Sequence, residues 1–135
     1  MKAKGTFTVK KWEEKDDEEI SPEMKTTKAA VEYDFEGDAQ GVASIDYLMF
    51  YKYFDPNDPH KASAVFVGLL QFSGKLLDKT GSFFVRENGV FENGSASSTY
   101  EIIAGSGSGE LKLISGTGHY LADQAGSHFE FDYTL

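Results

Sequence analysis

Three charged side chains interrupt runs that are otherwise apolar: Asp46 in "ASIDYLMF", and the adjacent Arg86 and Glu87 in "FFVREN". A carboxylate drawn into an apolar interior is costly unless it is paired, and its pKa climbs toward neutrality, which is how general acids arise. In a strand, alternation decides which of two neighbours turns inward. If Phe84 faces the core then so does Arg86; if Phe83 and Val85 face it, Glu87 does instead. Both arrangements stay open, beside the plainer one of an outward ion pair at the rim.

Other groups offer less. "GSGSG", Gly105 to Gly109, matches the string of a serine elbow, but that elbow needs a following helix in an α/β sheet. It also lacks the Gly-Lys-Ser/Thr ending of a phosphate loop, so turns needing positive φ are the better account. His60, His119 and His128 are far apart, with no ligand-spaced neighbour, and no metal site is expected. With no cysteine there is no thiolate nucleophile and no disulfide. "EEKDDEE", Glu13 to Glu19, holds six acids and one lysine. A run of like charge prefers solvent and reads as an exposed loop; the spacing of an EF-hand is missing.

The elements that must position these groups are strands. Period-two patterning runs from end to end, and helical periodicity is nearly absent. "GTFTVKKW" sets Phe7 and Val9 against Thr6, Thr8 and Lys10. "AAVEYDFEG" sets Val31, Tyr33 and Phe35 against Glu32, Asp34 and Glu36. "HFEFDYTL" sets Phe129, Phe131, Tyr133 and Leu135 against His128, Glu130, Asp132 and Thr134. The prolines of "DPNDPH" break one long run, and "DKTG" another. Asn88-Gly89 and Asn93-Gly94 are both strong hairpin signals, one expected as the turn and one as a bulge. Only "GELKLIS" suggests a short helical turn. About eight strands in 135 residues, several of them ten or longer, point to an all-β fold: a closed antiparallel barrel of tilted strands rather than a sandwich. Closure also removes edges that would be hazardous in strands this aromatic.

Two strands are apolar on both faces. In "DYLMFYKYF" the tyrosines face one way, Leu48 and Phe50 the other. In "AVFVGLL" Phe66 and Leu70 oppose Val65, Val67 and Leu69. As neighbours they would lay one contiguous apolar patch on the outside, which points to a homo-oligomer formed through Leu48, Phe50, Val65, Val67 and Leu69. The alternative cover is the "GELKLIS" segment. Inside, an eight-stranded barrel either fills itself or holds one small ligand. The candidate lumen residues are Tyr33, Phe35, Tyr47, Tyr51, Phe66, Phe84, Arg86, Phe129 and Phe131. A buried phenol needs a hydrogen-bond partner, so several inward tyrosines imply a polar network, water or a ligand.

The bulk numbers bound the rest. The length fits one domain, 1–135, that buries roughly two thirds of its unfolded surface. A net charge of -9 argues against nucleic acid, which draws on clustered Lys and Arg. No apolar run serves as a signal peptide or reaches the roughly 20 residues of a membrane span. A cytoplasmic protein without cofactor is the expectation.

Three blocks, "GTFTVKKW", "VGLLQFSGKLLDKTGSFFVRENGVF" and "YEIIAGSGSGELKLISGTG", resemble a small bacterial family of unknown function. Its members share a barrel similar to that of plant allene oxide cyclase. The match runs from Gly5 to the C-terminus and is most specific at "GSFFVRENG" and "GSGSGEL". The resemblance implies an eight-stranded barrel with an apolar cavity, and it supplies no activity. Two functions follow from the residues: binding of a small apolar molecule in the lumen, or a cofactor-independent isomerase or cyclase using one titrating group, Arg86, Glu87 or Asp46. A filled barrel that works through its outer surface is the third.

Overall fold

A computed structural model describes residues 1–135. Its strands are β1 Lys2–Glu19, β2 Lys25–Gly37, β3 Ala39–Tyr53, β4 Ser63–Leu76, β5 Lys79–Glu92, β6 Ser95–Ile102, β7 Ser108–Gly109, β8 Ser115–Asp123 and β9 Gly126–Thr134. All pairings are antiparallel, in the order β4-β3-β2-β1-β9-β8-β6-β5, and β5 pairs back to β4 to close an eight-strand ring. The two-residue β7 extends the edge of β5. No helix is long and apolar enough to cross a membrane.

Turn chemistry follows the sequence with two differences. Asn93 and Gly94 both take positive φ, at 53° and 76°, and make the β5–β6 turn. Asn88-Gly89 lies in an unbroken ladder and forms no bulge. "GELKLIS" forms no helix; its turns carry Leu111 and Ile114, both fully buried, into one end of the ring and close it. The one helical turn is a 3₁₀ segment, Pro59–Lys61, at the end of "DPNDPH", capped by Asp58, which accepts from the His60 amide.

The ring is not sealed along its whole height. β1 pairs with β9 only from Lys2 to Thr6, whereas it pairs with β2 all the way to Glu19. A register shift between Val9 and Lys11 turns the strand at this parting. Beyond it the β1–β2 hairpin runs on as a ribbon with one free edge. "EEKDDEE" is therefore the exposed end of a strand, not the loop expected from its charge. An open edge invites pairing with other chains, and like charges along it oppose that.

Inside, rings fill the closed half. Phe35 stands 4.9 Å from Phe129, Phe72 5.2 Å from Phe83, and Tyr100 5.1 Å from Phe131, centroid to centroid. In places the room for a ring comes from a neighbouring strand that gives up a side chain. Phe66 lies directly opposite Gly89, and a Cβ on Gly89 would sit 2.5 Å from the Phe66 ring. Gly89→Ala is expected to destabilise the fold by about 1–3 kcal/mol through overpacking. A urea denaturation midpoint unchanged by the substitution would show that Phe66 can swing aside instead.

Candidate functional site

The parting of β1 from β9 leaves a cavity of about 190 Å³ at the unplugged end of the ring, eleven of its twelve lining residues hydrophobic. Phe7, Trp12, Met49, Phe66, Phe91 and Ala122 form its walls, and Tyr33, Tyr47 and Tyr120 bring phenols to it. Wider depressions, of about 640 and 670 Å³, are open troughs on the outer surface, beside Asp16 and Lys28 and beside Leu48 and Val67.

Behind the tyrosines lies Glu87, fully buried and the only ionisable carboxyl in the core. Register explains how it gets there. Tyr47, Gly68, Glu87 and Tyr100 stand in one row across β3, β4, β5 and β6, on the inward face. Gly68 presents no side chain, so the Tyr47 phenol reaches over it to donate to Glu87 Oε1 at 2.8 Å. A Cβ at Gly68 would meet the Ile45 side chain at 2.9 Å. Tyr33 and Tyr47 share a second hydrogen bond, O to O 2.9 Å. The result is a chain of three groups leading from the carboxyl to a cavity wall.

Burial pushes the Glu87 carboxyl up from 4.5 to about 7, against the pull of the Tyr47, Tyr120 and Ser98 hydroxyls. Oε2 nonetheless has no hydrogen-bond partner. A buried anion with one bare oxygen is expensive, so the neutral acid is favoured over a wider pH range than for an exposed carboxyl. Burial also raises Tyr33, Tyr47, Tyr100 and Tyr120, with the nearby Glu87 charge adding to each. None of these phenols ionises at neutral pH.

A second carboxylate organises the rim. Glu14 Oε2 accepts from Thr27 and from Tyr51, each at 2.7 Å, and Oε1 accepts from the Trp12 indole at 3.0 Å. Trp12 is thereby held over the mouth, its ring 6.2 Å from that of Tyr47. The Tyr51 phenol is raised first by burial and then by its bond to Glu14.

The sequence candidates divide. Tyr33, Tyr47 and Phe66 line the cavity; Phe35, Phe129 and Phe131 point inward but pack as filler nearer the closed end; Tyr51 sits half-buried at the rim. Phe84 and Arg86 are corrected: both face outward, because Phe83 and Val85 take the fully buried positions on either side. Arg86 instead pairs with Glu101, directly across on β6. Asp46 also faces out. Val9 shares the inward face but stays exposed at the parting, and Leu135 is exposed at the chain end. His60, His119 and His128 all lie on the surface. Ser106 and Ser108 of "GSGSG" are spent on loop ties, to Phe84 and Ile103 and to Ser82. Leu48, Val65, Val67 and Leu69 are exposed and Phe50 partly so, in one patch that the "GELKLIS" segment does not cover.

Trp12, Glu14, Tyr100 and Tyr120 were not foreseen. Period-two alternation in "SSTYEI" and "TGHYLA" points Tyr100 and Tyr120 inward with Ser98 and Gly118, a usable signal. Trp12 and Glu14 follow the register shift, which has no sequence mark of its own.

A family described as "Protein of unknown function (DUF3224)" matches residues 3–133. No curated protein matches. A solved structure of a DUF3224 protein of unknown function from Shewanella oneidensis MR-1 superimposes with a TM-score of 0.75 at 22% identity, over 100% of this chain and 97% of that one. At that identity the likeness speaks for the fold.

Glu87 carries a stability prediction whose sign is fixed. Its folded value of about 7 lies above its ordinary 4.5, so the folded state holds the extra proton between those values. Stability therefore falls as pH rises from about 4.5 to about 7, by on the order of 3 kcal/mol from this group. In Glu87→Gln that slope is expected to vanish, measured as urea unfolding free energy against pH. A slope retained in the variant would move its origin elsewhere.

Proposed function

For a chain that belongs to the DUF3224 family, we propose binding of a small, mostly apolar molecule at the open mouth of the ring. The observation that carries it is the cavity: about 190 Å³, with eleven of twelve lining residues hydrophobic and Tyr33, Tyr47 and Tyr120 among them. A dry engineered cavity of about 150 Å³ holds benzene, so this one suits a single six-membered ring or a short chain. Apolar walls supply affinity and a few hydroxyls set orientation, the usual division in ligand pockets.

The test starts from protein purified from its own host and held in native mass spectrometry. A retained small molecule is the expected result. The Ala122→Phe variant fills the mouth without touching the Glu87 chain and is expected to lose both that molecule and binding of toluene. Toluene binding is read from the indole N–H resonance of Trp12, the single tryptophan. Wild-type protein that retains nothing and shows no toluene shift would end this proposal.

A second reading, a cofactor-independent isomerase or cyclase, is favoured by one feature. An acid near pH 7 behind a phenol chain can give or take a proton across the working range of a general acid–base catalyst. A pH–rate profile on a turned-over substrate separates it from binding alone.

The outer patch we assign to a second copy of this chain. Its apolar rows are crossed by Asp46, Leu69 and Arg86 in register, a negative and a positive charge on either side of one leucine. A two-fold axis through Leu69 and parallel to the strands would set each subunit's Asp46 against its partner's Arg86, a self-complementary arrangement for an isologous interface. Sedimentation is expected to find a dimer at micromolar concentration and a monomer in Val67→Arg. A monomeric wild type refutes the assignment.

A further inference from the structure

The hydrogen-bond chain behind the cavity has a direction, and proton counting fixes it. Each phenol has one hydrogen to donate. If Glu87 is ionised, Tyr47 must donate to Oε1, as its 2.8 Å contact allows, and Tyr33 must then donate to Tyr47. Tyr33, whose side chain lines the cavity, is left with its oxygen as an acceptor only. If Glu87 is neutral with its proton on Oε1, the bond to Tyr47 reverses and the freed Tyr47 hydrogen can turn to Tyr33. The acid donates to Tyr47, Tyr47 donates to Tyr33, and Tyr33 donates into the cavity. Oε2, which has no partner, is then a carbonyl oxygen rather than half of a bare anion. A carbonyl left without a donor is far cheaper than an unpaired charge.

We propose that Glu87, Tyr47 and Tyr33 form a reversible hydrogen-bond relay whose sense selects the ligand: the protonated relay takes a small carbonyl compound, whose oxygen accepts from Tyr33. This rests on the pocket proposed above and adds the chemical class of its occupant. The surroundings leave Glu87 as the controlling group. Facing it are Tyr47 from β3, Gly68 from β4, Ser98 and Tyr100 from β6 and Tyr120 from β8, with Tyr33 from β2 one step away. No Lys, Arg or His is buried in the lumen to pin the carboxylate in its charged form. Glu14, the other nearby acid, is engaged by Trp12, Thr27 and Tyr51 at the rim. The buried carboxyl that titrates near neutrality lets the relay change sense within an ordinary pH range.

Three probes of one size make the test: cyclohexanone, which only accepts; cyclohexanol, which donates and accepts; and methylcyclohexane, which does neither. Each is titrated from pH 5.5 to 8.5, following the Trp12 indole resonance. Cyclohexanone is expected to bind about five- to tenfold more tightly below the Glu87 midpoint than above it, the worth of one hydrogen bond. Cyclohexanol and methylcyclohexane are expected to change little with pH. Glu87→Gln keeps a donor toward Tyr47, so cyclohexanone should bind at its low-pH strength throughout. Tyr33→Phe should bring cyclohexanone down to the methylcyclohexane pattern. If all three probes bind with the same pH response, the relay proposal is overturned while the pocket stands. Failure of every probe to bind at any pH would remove the pocket and the relay together.

Discussion

The width of an eight-strand ring governs everything inside it. Such a lumen is filled by side chains or nearly so, and rings that face rings in register, as Phe72 faces Phe83, leave room to be found where large residues face small ones. Phe66 over Gly89 and Phe131 over Gly118 are cases of plain fit. Tyr47 beside Gly68 is different, because the space Gly68 leaves is crossed by a hydrogen bond to Glu87. One missing Cβ thus lets a carboxyl from β5 and a phenol from β3 meet across the strand between them.

The same ring is interrupted at one seam, and the seam makes the cavity. β1 and β9 share five residue pairs, whereas β1 and β2 continue together to the hairpin tip. Past Thr6 the inward residues of β1 therefore face a gap, which Trp12 partly covers. Leaving Trp12 loose over that gap would expose Tyr47 and Tyr33 to bulk water. Glu14, fixed by Thr27 and Tyr51, holds the indole in place. The acids beyond it on the free edge are surface charges with local partners, Asp16 to Lys25 and Asp17 to Lys28. They guard an edge and contribute little to stability.

What the sequence disclosed followed period two. The strands, the ring, the inward Tyr33, Tyr47 and Phe66, and the bare outer flank of β3 and β4 were all legible from alternation. Alternation also framed the choice between Arg86 and Glu87, yet it could not decide a strand that is apolar on both faces. The decision needed the partners: Phe83 and Val85 are fully buried, and Glu101 stands ready across β6 to receive Arg86. The acidic run misled because its composition describes solvent exposure, which is right, and says nothing of backbone pairing to β2. The rim was hidden for a similar reason. A one-residue register shift after Val9 changes which side of β1 faces in, and no residue type announces it.

A carboxyl at position 87 has no structural task that a neutral amide could not perform. Its Oε1 accepts one hydrogen bond, its Oε2 none, and burial works against its charge. As scaffold alone it weakens the fold above its midpoint, the opposite of what a well-paired buried acid does. What it adds is the ability to change protonation next to phenols that do not. Tyr33 and Tyr47 stay neutral, so neither can alter the wall of the cavity by itself. In the relay proposed above they are coupled in series to a group that can, and its state is handed along the Tyr47 hydroxyl to Tyr33 at the cavity wall.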